Sequence, residues 1–283
     1  SRGLGDVYKR QVKLNLRANA GLYRNEITQM ALDPTTGKPK HYEEQGAFAY
    51  KKGHSVQDYY MPIYAGITST GLPQWEYYYT EDASGKKTAI QDLENWLQVS
   101  SNDPSSLKQG TTTNYNSATK QFVGKSAIPD LVGGFGFDLT VHGVTLSSAF
   151  SFGLGGYGYD GAYATLMDPS SAIGSSNWHK DILDSWSPTN TNGSLPILGS
   201  NASELSQATS RSTRFLTSRS YLNLSNVRIS YDLPKSLVKH VGLERASVYV
   251  SGDNLFLISA RKGFVSMSSS SGSSSSNLSL IHI

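Results

Sequence analysis

Arg219-Ser-Tyr-Leu-Asn-Leu-Ser-Asn-Val-Arg-Ile-Ser-Tyr-Asp-Leu-Pro234 opens the stretch whose reading decides the fold. Lys235-Ser-Leu-Val-Lys-His-Val-Gly-Leu243 and Glu244-Arg-Ala-Ser-Val-Tyr-Val-Ser-Gly-Asp-Asn-Leu-Phe256 complete it. Val227, Ile229, Tyr231 and Leu233 alternate with Arg228, Ser230 and Asp232, the period of a strand with one apolar face. Pro234 has no amide hydrogen for a ladder, so the strand stops there. Residues 235–239 suit one helical turn. Ala246, Val248 and Val250 then alternate with Ser247, Tyr249 and Ser251, and Gly252-Asp-Asn254 ends that run. The stretch predicts a β-hairpin of two long strands.

Residues 131–154 repeat the pattern more cleanly. Phe135, Phe137, Leu139 and Val141 share one face, opposite Gly134, Gly136, Asp138 and Thr140, and His142-Gly143 makes a tight turn. Val144, Leu146, Phe150, Phe152 and Leu154 form the apolar face of the return strand, with Ser148 as the exception. Thr145, Ser147, Ala149, Ser151 and Gly153 face the other way. Both strands approach the roughly 9–11 residues that cross a bilayer at a tilt.

Upstream, Val12, Leu14, Leu16 and Ala18 alternate with Lys13, Asn15, Arg17 and Asn19, a strand of good length. Residues 80–129 and 162–211 are polar and read as long loops. The first holds a short helix at residues 92–98. The second holds a helix at residues 177–186, with Asn177 as its N-cap. Residues 267–277 are nearly all Ser and Gly, a flexible loop. Short turns on one side and long loops on the other are the habit of outer-membrane barrels. The expectation is an all-β fold, a partial antiparallel transmembrane β-barrel, incomplete at about six to eight strands and carrying long external loops.

Composition agrees. No apolar run approaches the roughly 20 residues of a membrane helix. A mean hydropathy of −0.36 is compatible with barrel strands, which carry lipid-facing residues only at alternate positions. Tyr numbers 17 against 9 Phe, and Tyr suits membrane–water interfaces. Cysteine is absent, so there is no disulfide framework and no thiolate site.

The two ends are expected to be foreign. Asp6-Val-Tyr-Lys-Arg-Gln11 can be encoded by DNA whose reverse complement encodes Leu278-Ser-Leu-Ile-His-Ile283, and this resembles a transposon-end sequencing adapter. Residues 1–11 and 278–283 are set aside as artefact, leaving 12–277 as the fragment to be folded. Without Arg2, Asp6, Lys9 and Arg10 the net charge falls from +3 to +1, so no nucleic-acid partner is implied.

The wording carries a resemblance too. Ser220-Tyr-Leu-Asn-Leu-Ser-Asn-Val227, the strand ending in Leu233-Pro-Lys235, and Val248-Tyr-Val-Ser-Gly-Asp-Asn-Leu255 resemble the C-terminal barrel of SusC/RagA-type TonB-dependent outer-membrane transporters. Asn177-Trp-His-Lys-Asp181, Trp186-Ser-Pro-Thr-Asn190, Ser212-Thr-Arg-Phe-Leu216 and Arg261-Lys-Gly263 fit it in order, over about residues 53–263. For residues 53–79 the resemblance implies two strands flanking a Gly-Pro turn, and Ile67-Thr-Ser69 departs from the acidic-proline turn usual there. The resemblance implies import of large nutrients, typically glycans or peptides, driven by the TonB complex. It also implies an outer-membrane lipid environment and a SusD-like surface lipoprotein over the loops. The plug and the TonB-contacting segment lie upstream in that family.

No chemistry of catalysis is expected. Gly153-Leu-Gly-Gly-Tyr-Gly158 matches GxGxxG, but the dinucleotide motif needs a helix opening on its last glycine. His179 and Asp181, two apart on a helix, would point to different faces, and no second pair supplies a metal shell. No nucleophile elbow supports a Ser-His-Asp set. The expectation is a protein that is not an enzyme, with no catalytic, cofactor or metal residue. Tyr157, Tyr159, Trp178 and Trp186, in or beside external loops, are the candidates for ligand or partner contact. A soluble all-β carbohydrate-binding module would show the same alternation and remains the alternative, with a passive porin as a third.

Overall fold

The computed structural model describes residues 12–170, 177–199, 203–240, 242–262 and 264. The ends set aside above and the Ser/Gly run at 267–277 lie outside the described residues.

In chain order the strands begin with β1 (Lys13–Leu22), β2 (Glu43–Gln45), β3 (Phe48–Tyr50), β4 (Asp58–Pro62) and β5 (Tyr64–Ile67). Then come β6 (Pro73–Glu81), β7 (Lys87–Ile90), helix α1 (Leu93–Leu97), β8 (Lys108–Thr112) and β9 (Lys120–Ser126). β10 (Leu131–Val141), β11 (Val144–Leu154), β12 (Tyr157–Tyr159) and helix α2 (Gly161–Leu166) follow. Helix α3 (Ser203–Ser206), β13 (Leu216–Ser218), β14 (Tyr221–Asp232), helix α4 (Lys235–His240) and β15 (Ser247–Ser259) complete the order. Fifteen strands among the described residues exceed the six to eight expected, because most of the extra ones are short.

Two compact units divide the chain. The first holds the five long strands, all antiparallel, in the order β1-β10-β11-β14-β15. His142 (φ 48°) and Gly143 (φ 84°) join β10 to β11, two left-handed residues that twist a two-residue turn the way a hairpin needs. β14 and β15 are joined through α4, where the sequence placed its helical turn. β15 does not stop at Gly252-Asp-Asn254, as expected, but runs on to Ser259. Asn254 takes φ 51° and the register shifts, so the strand absorbs an extra residue as a bulge.

The second unit is built of small sheets. β2-β3-β4-β9 form one, β6 pairs with β5, β7 and β8 in another, and β12 pairs with β13. Its two apolar clusters centre on Phe48, Tyr59 and Met61 and on Met167, Ile182 and Phe215. Here the expected loop at residues 80–129 is corrected, since it contains β7, β8 and β9. Those strands are too polar to alternate visibly. The ladder to β6 and cross-strand pairs such as Lys108 with Glu81 hold β7 and β8 in place. The short helix at 92–98 is present as α1, its N-cap Asp92 accepting from Asn95 N–H. The helix expected at 177–186 is shorter, a 3₁₀ turn over Lys180–Asp184 capped by His179 rather than Asn177.

Candidate functional site

The five-stranded sheet sorts its side chains by face. Register aligns Leu14, Leu139, Leu146, Ile229 and Val250 in one row, and Ala18, Phe135, Phe150, Leu224 and Phe256 in another. Between them run Leu16, Phe137, Ser148, Val227 and Gly252. Leu255, displaced by the bulge, covers Gly252, where a Cβ would lie 2.8 Å from its Cδ2. Phe135 and Phe150 stack with ring centroids 4.7 Å apart. This apolar face is open: Ile229, on an interior strand, is 53% exposed, and Leu14, Leu16, Phe135, Val248 and Val250 are exposed with it.

The opposite face is polar and satisfied. Arg17 bonds Asp138 and also reaches Ser148 O at 3.0 Å. Arg228 lies 3.9 Å from the Tyr249 ring centroid. Asn223 is buried and donates to Asn254 Oδ1 at 3.1 Å, and Asn226 donates to Asp253 Oδ1 at 2.7 Å. The two phrases Tyr-Leu-Asn-Leu-Ser-Asn-Val and Ser-Gly-Asp-Asn-Leu are thus the two sides of one bulged pairing.

Eleven-residue strands such as β10 are about 36 Å long and rise about 28 Å at a 40° tilt, enough for the roughly 25 Å apolar band of an outer-membrane barrel. One end of the sheet carries the His142-Gly143 turn and the α4 connection. At the other end lie Leu22, Leu131, Leu154, Tyr221 and Ser259, where the chain passes to or from the second unit.

The four aromatic candidates all lie in that second unit, half-buried. Tyr157 accepts from Tyr59 O–H at 3.1 Å through its carbonyl, and Lys125 Nζ sits 4.6 Å from its ring centroid. Tyr159 and Trp178 are brought together on the Met167–Ile182–Phe215 cluster, with Trp178 Nε1 donating to Asp168 O at 3.1 Å. Trp186 packs elsewhere, on Gly71, where a Cβ would meet its ring at 2.8 Å. Gly153–Gly158 opens no helix; β11 ends in it and β12 begins. His179 and Asp181 are not turned apart as expected. His179 Nδ1 accepts from Asp181 N–H, and Asp181 Oδ2 in turn accepts from Tyr163 O–H at 2.8 Å.

Reading the sequence missed one ionic cluster. The buried Glu94 carboxylate lies 2.8 Å from Lys51 Nζ and 2.9 Å from His41 Nε2. Beside it Asp92 accepts from Tyr60 O–H at 2.7 Å and Tyr42 O–H at 2.9 Å. Burial first, and then the Asp92 bond, push the Tyr42 hydroxyl far above its usual range, and burial dominates for Tyr60 too. No local pattern in the sequence could signal it, since the partners lie 32 to 53 residues apart along the chain.

No protein-family model matches the chain. It is 25% identical over 218 residues to TonB-dependent receptor P3 of Formosa agariphila, covering 77% of this chain and 19% of that protein. TonB-dependent receptor P26 of the same organism is 27% identical over 132 residues, 47% of this chain and 13% of its own. Among solved structures, the RagAB peptide transporter superposes with a TM-score of 0.63 at 23% identity, over 90% of this chain and 24% of that one. The RagAB peptide importer in its closed-closed state gives 0.66 at 23% identity, over 90% and 25%. The chain spans about a fifth of receptor P3 and about a quarter of these solved chains. An open antiparallel sheet with a polar face, an exposed apolar face and turns at one end defines part of a barrel wall. In sequence the chain is similar to these TonB-dependent receptors, and its fold is like part of the RagAB transporter. The proteins it resembles are receptors and transporters, not enzymes.

Proposed function

We propose that the chain supplies barrel wall and external loops to a transporter of the bacterial outer membrane, one that imports large nutrients on energy delivered by the TonB complex. The observation that carries this is the apolar face of the sheet, continuous across all five strands and open where a soluble module would bury it. Of the two substrate classes, peptides are favoured over glycans by the fold likeness to a peptide importer. A SusD-like surface lipoprotein is the partner the family resemblance supplies. Tyr157, Tyr159, Trp178 and Trp186 would be the contacts for ligand or partner. Residues 1–11 and 278–283 are proposed to be adapter-encoded.

The test uses the whole transporter in lipid vesicles. A fluorescent label at Leu139 should be quenched by lipid-borne quenchers, while one at Thr140, on the opposite face, should not. Equal quenching at both sites, or none at Leu139, would return the chain to the soluble class. In cells, peptide uptake should vanish when TonB is removed, and uptake that persists would sink the transport reading.

A further inference from the structure

The second unit contains a cavity of about 390 Å³ whose charged lining is entirely basic. Met30 and Pro39 give it an apolar floor, and Lys40, His41, Lys51 and Lys52 line it together with Thr28 and Gln29. Its walls are tied by backbone bonds. Ile27 N donates to His54 O and Gly53 N to Ile27 O, both at 2.9 Å, while Lys40 N donates to Ala31 O at 2.9 Å. Gly53, at φ 87°, makes the turn that brings Lys51 and Lys52 round.

No carboxylate lines the cavity, and those beside it are already engaged: Asp33, close enough to Lys40 to feel its charge, accepts from the Thr35 and Thr36 backbone N–H groups. Glu94 is shared between Lys51 and His41, and Glu43 lies 3.1 Å from Lys40. The charged side chains that line the cavity are all basic, and Lys52, exposed, has no ion-pair partner among the described residues. Fixed walls and a surplus cation suit an anion that brings its own apolar neighbour to the Met30–Pro39 floor.

We propose that this cavity binds a carboxylate of the peptide substrate, with Lys52 as its direct partner and Lys51 and Lys40 as supporting charges. The proposal rests on the peptide reading above. Lys51 is oriented by Glu94, so removing it would leave a buried carboxylate unpaired and threaten the fold. Lys52 stands on an exposed turn and can be changed safely.

The experiment measures binding of two fluorescent hexapeptides to the whole purified transporter. One carries Glu residues and a free C-terminal carboxylate; the other has Gln in place of Glu and a C-terminal amide. The acidic peptide should bind roughly five- to tenfold more tightly at low salt, the size of one close charge contact in water. K52Q should erase that preference without weakening the neutral peptide, and added salt should do the same. Equal affinity for the two peptides, or a K52Q effect of equal size on both, overturns the proposal and leaves peptide transport standing. Binding of neither peptide overturns the peptide reading and this site with it. Competition by a galacturonate oligosaccharide but not by the unlabelled acidic peptide would assign the cavity to acidic glycans instead.

Discussion

Asn254 shows how one residue can change the meaning of a phrase. Gly252-Asp-Asn254 reads as a strand end, because Gly, Asp and Asn are turn formers. In place, Asn254 adopts a left-handed backbone that Asn tolerates better than most residues, and Asn223 holds its side chain at 3.1 Å. The result is a bulge inside a 13-residue strand. Asn254→Val puts a β-branched side chain in that conformation and should cost about 1–3 kcal/mol. Asn254→Gly keeps the backbone and loses the amide contact, costing about 1 kcal/mol. Urea unfolding of the whole transporter in detergent micelles should therefore rank wild type above Gly above Val. Gly ranking below Val would refute the bulge account. Tyr163 gives a second test at this scale. Burial first, then the hydrogen bond to Asp181, raise its hydroxyl to about 12. A raised folded value means that its stabilising contribution is whole below an unfolded value of about 10 and is lost as pH climbs towards about 12. The difference in ultraviolet phenolate titration between wild type and Tyr163→Phe should show a late-titrating group. A midpoint near 10 would show that the contact is not kept in solution.

At the scale of elements, what was legible followed from what each strand packs against. β10, β11 and β14 carry apolar side chains on one face and polar ones on the other, so the alternation is visible in the sequence. β7 and β8 do not bury a face. Lys-Thr-Ala-Ile and Lys-Gln-Gly-Thr-Thr look like loop, yet each has β6 as a ladder partner. Likewise Trp178 and Trp186 could be named as ligand candidates, but their seats could not be foreseen. Gly71 receives Trp186 from more than a hundred residues away, and no local pattern encodes that. The two faces of β10 should respond oppositely to one change. Phe137→Arg places a charge near the middle of the apolar band and should cost about 2–4 kcal/mol in lipid. Thr140→Arg, on the polar face that already accommodates Arg17 and Asp138, should cost well under half as much. Heat-modifiability on gels, which follows barrel folding, reads the difference. Equal losses at the two sites would mean that both faces are packed alike.

For the molecule as a whole, the apolar rows and the open edges point the same way. β1 and β15 each keep one side without a partner in the five-stranded sheet, and both carry exposed apolar residues: Leu14 and Leu16 on one, Val248, Val250, Phe256 and Ile258 on the other. An unpaired strand is a template for another chain, and apolar side chains along it strengthen the contact. A net charge of +3 on 283 residues offers little mutual repulsion to oppose that. In the membrane, lipid would cover the apolar rows and neighbouring strands would close the edges. This chain expressed alone, without detergent, should therefore associate into large species, and adding a mild detergent should reduce their size without giving a cooperative thermal transition. Size-exclusion chromatography with light scattering checks the first expectation, and calorimetry checks the second. A monodisperse monomer that melts cooperatively in plain buffer would mean that the sheet buries its apolar rows in its own core, and the barrel reading would have to be given up.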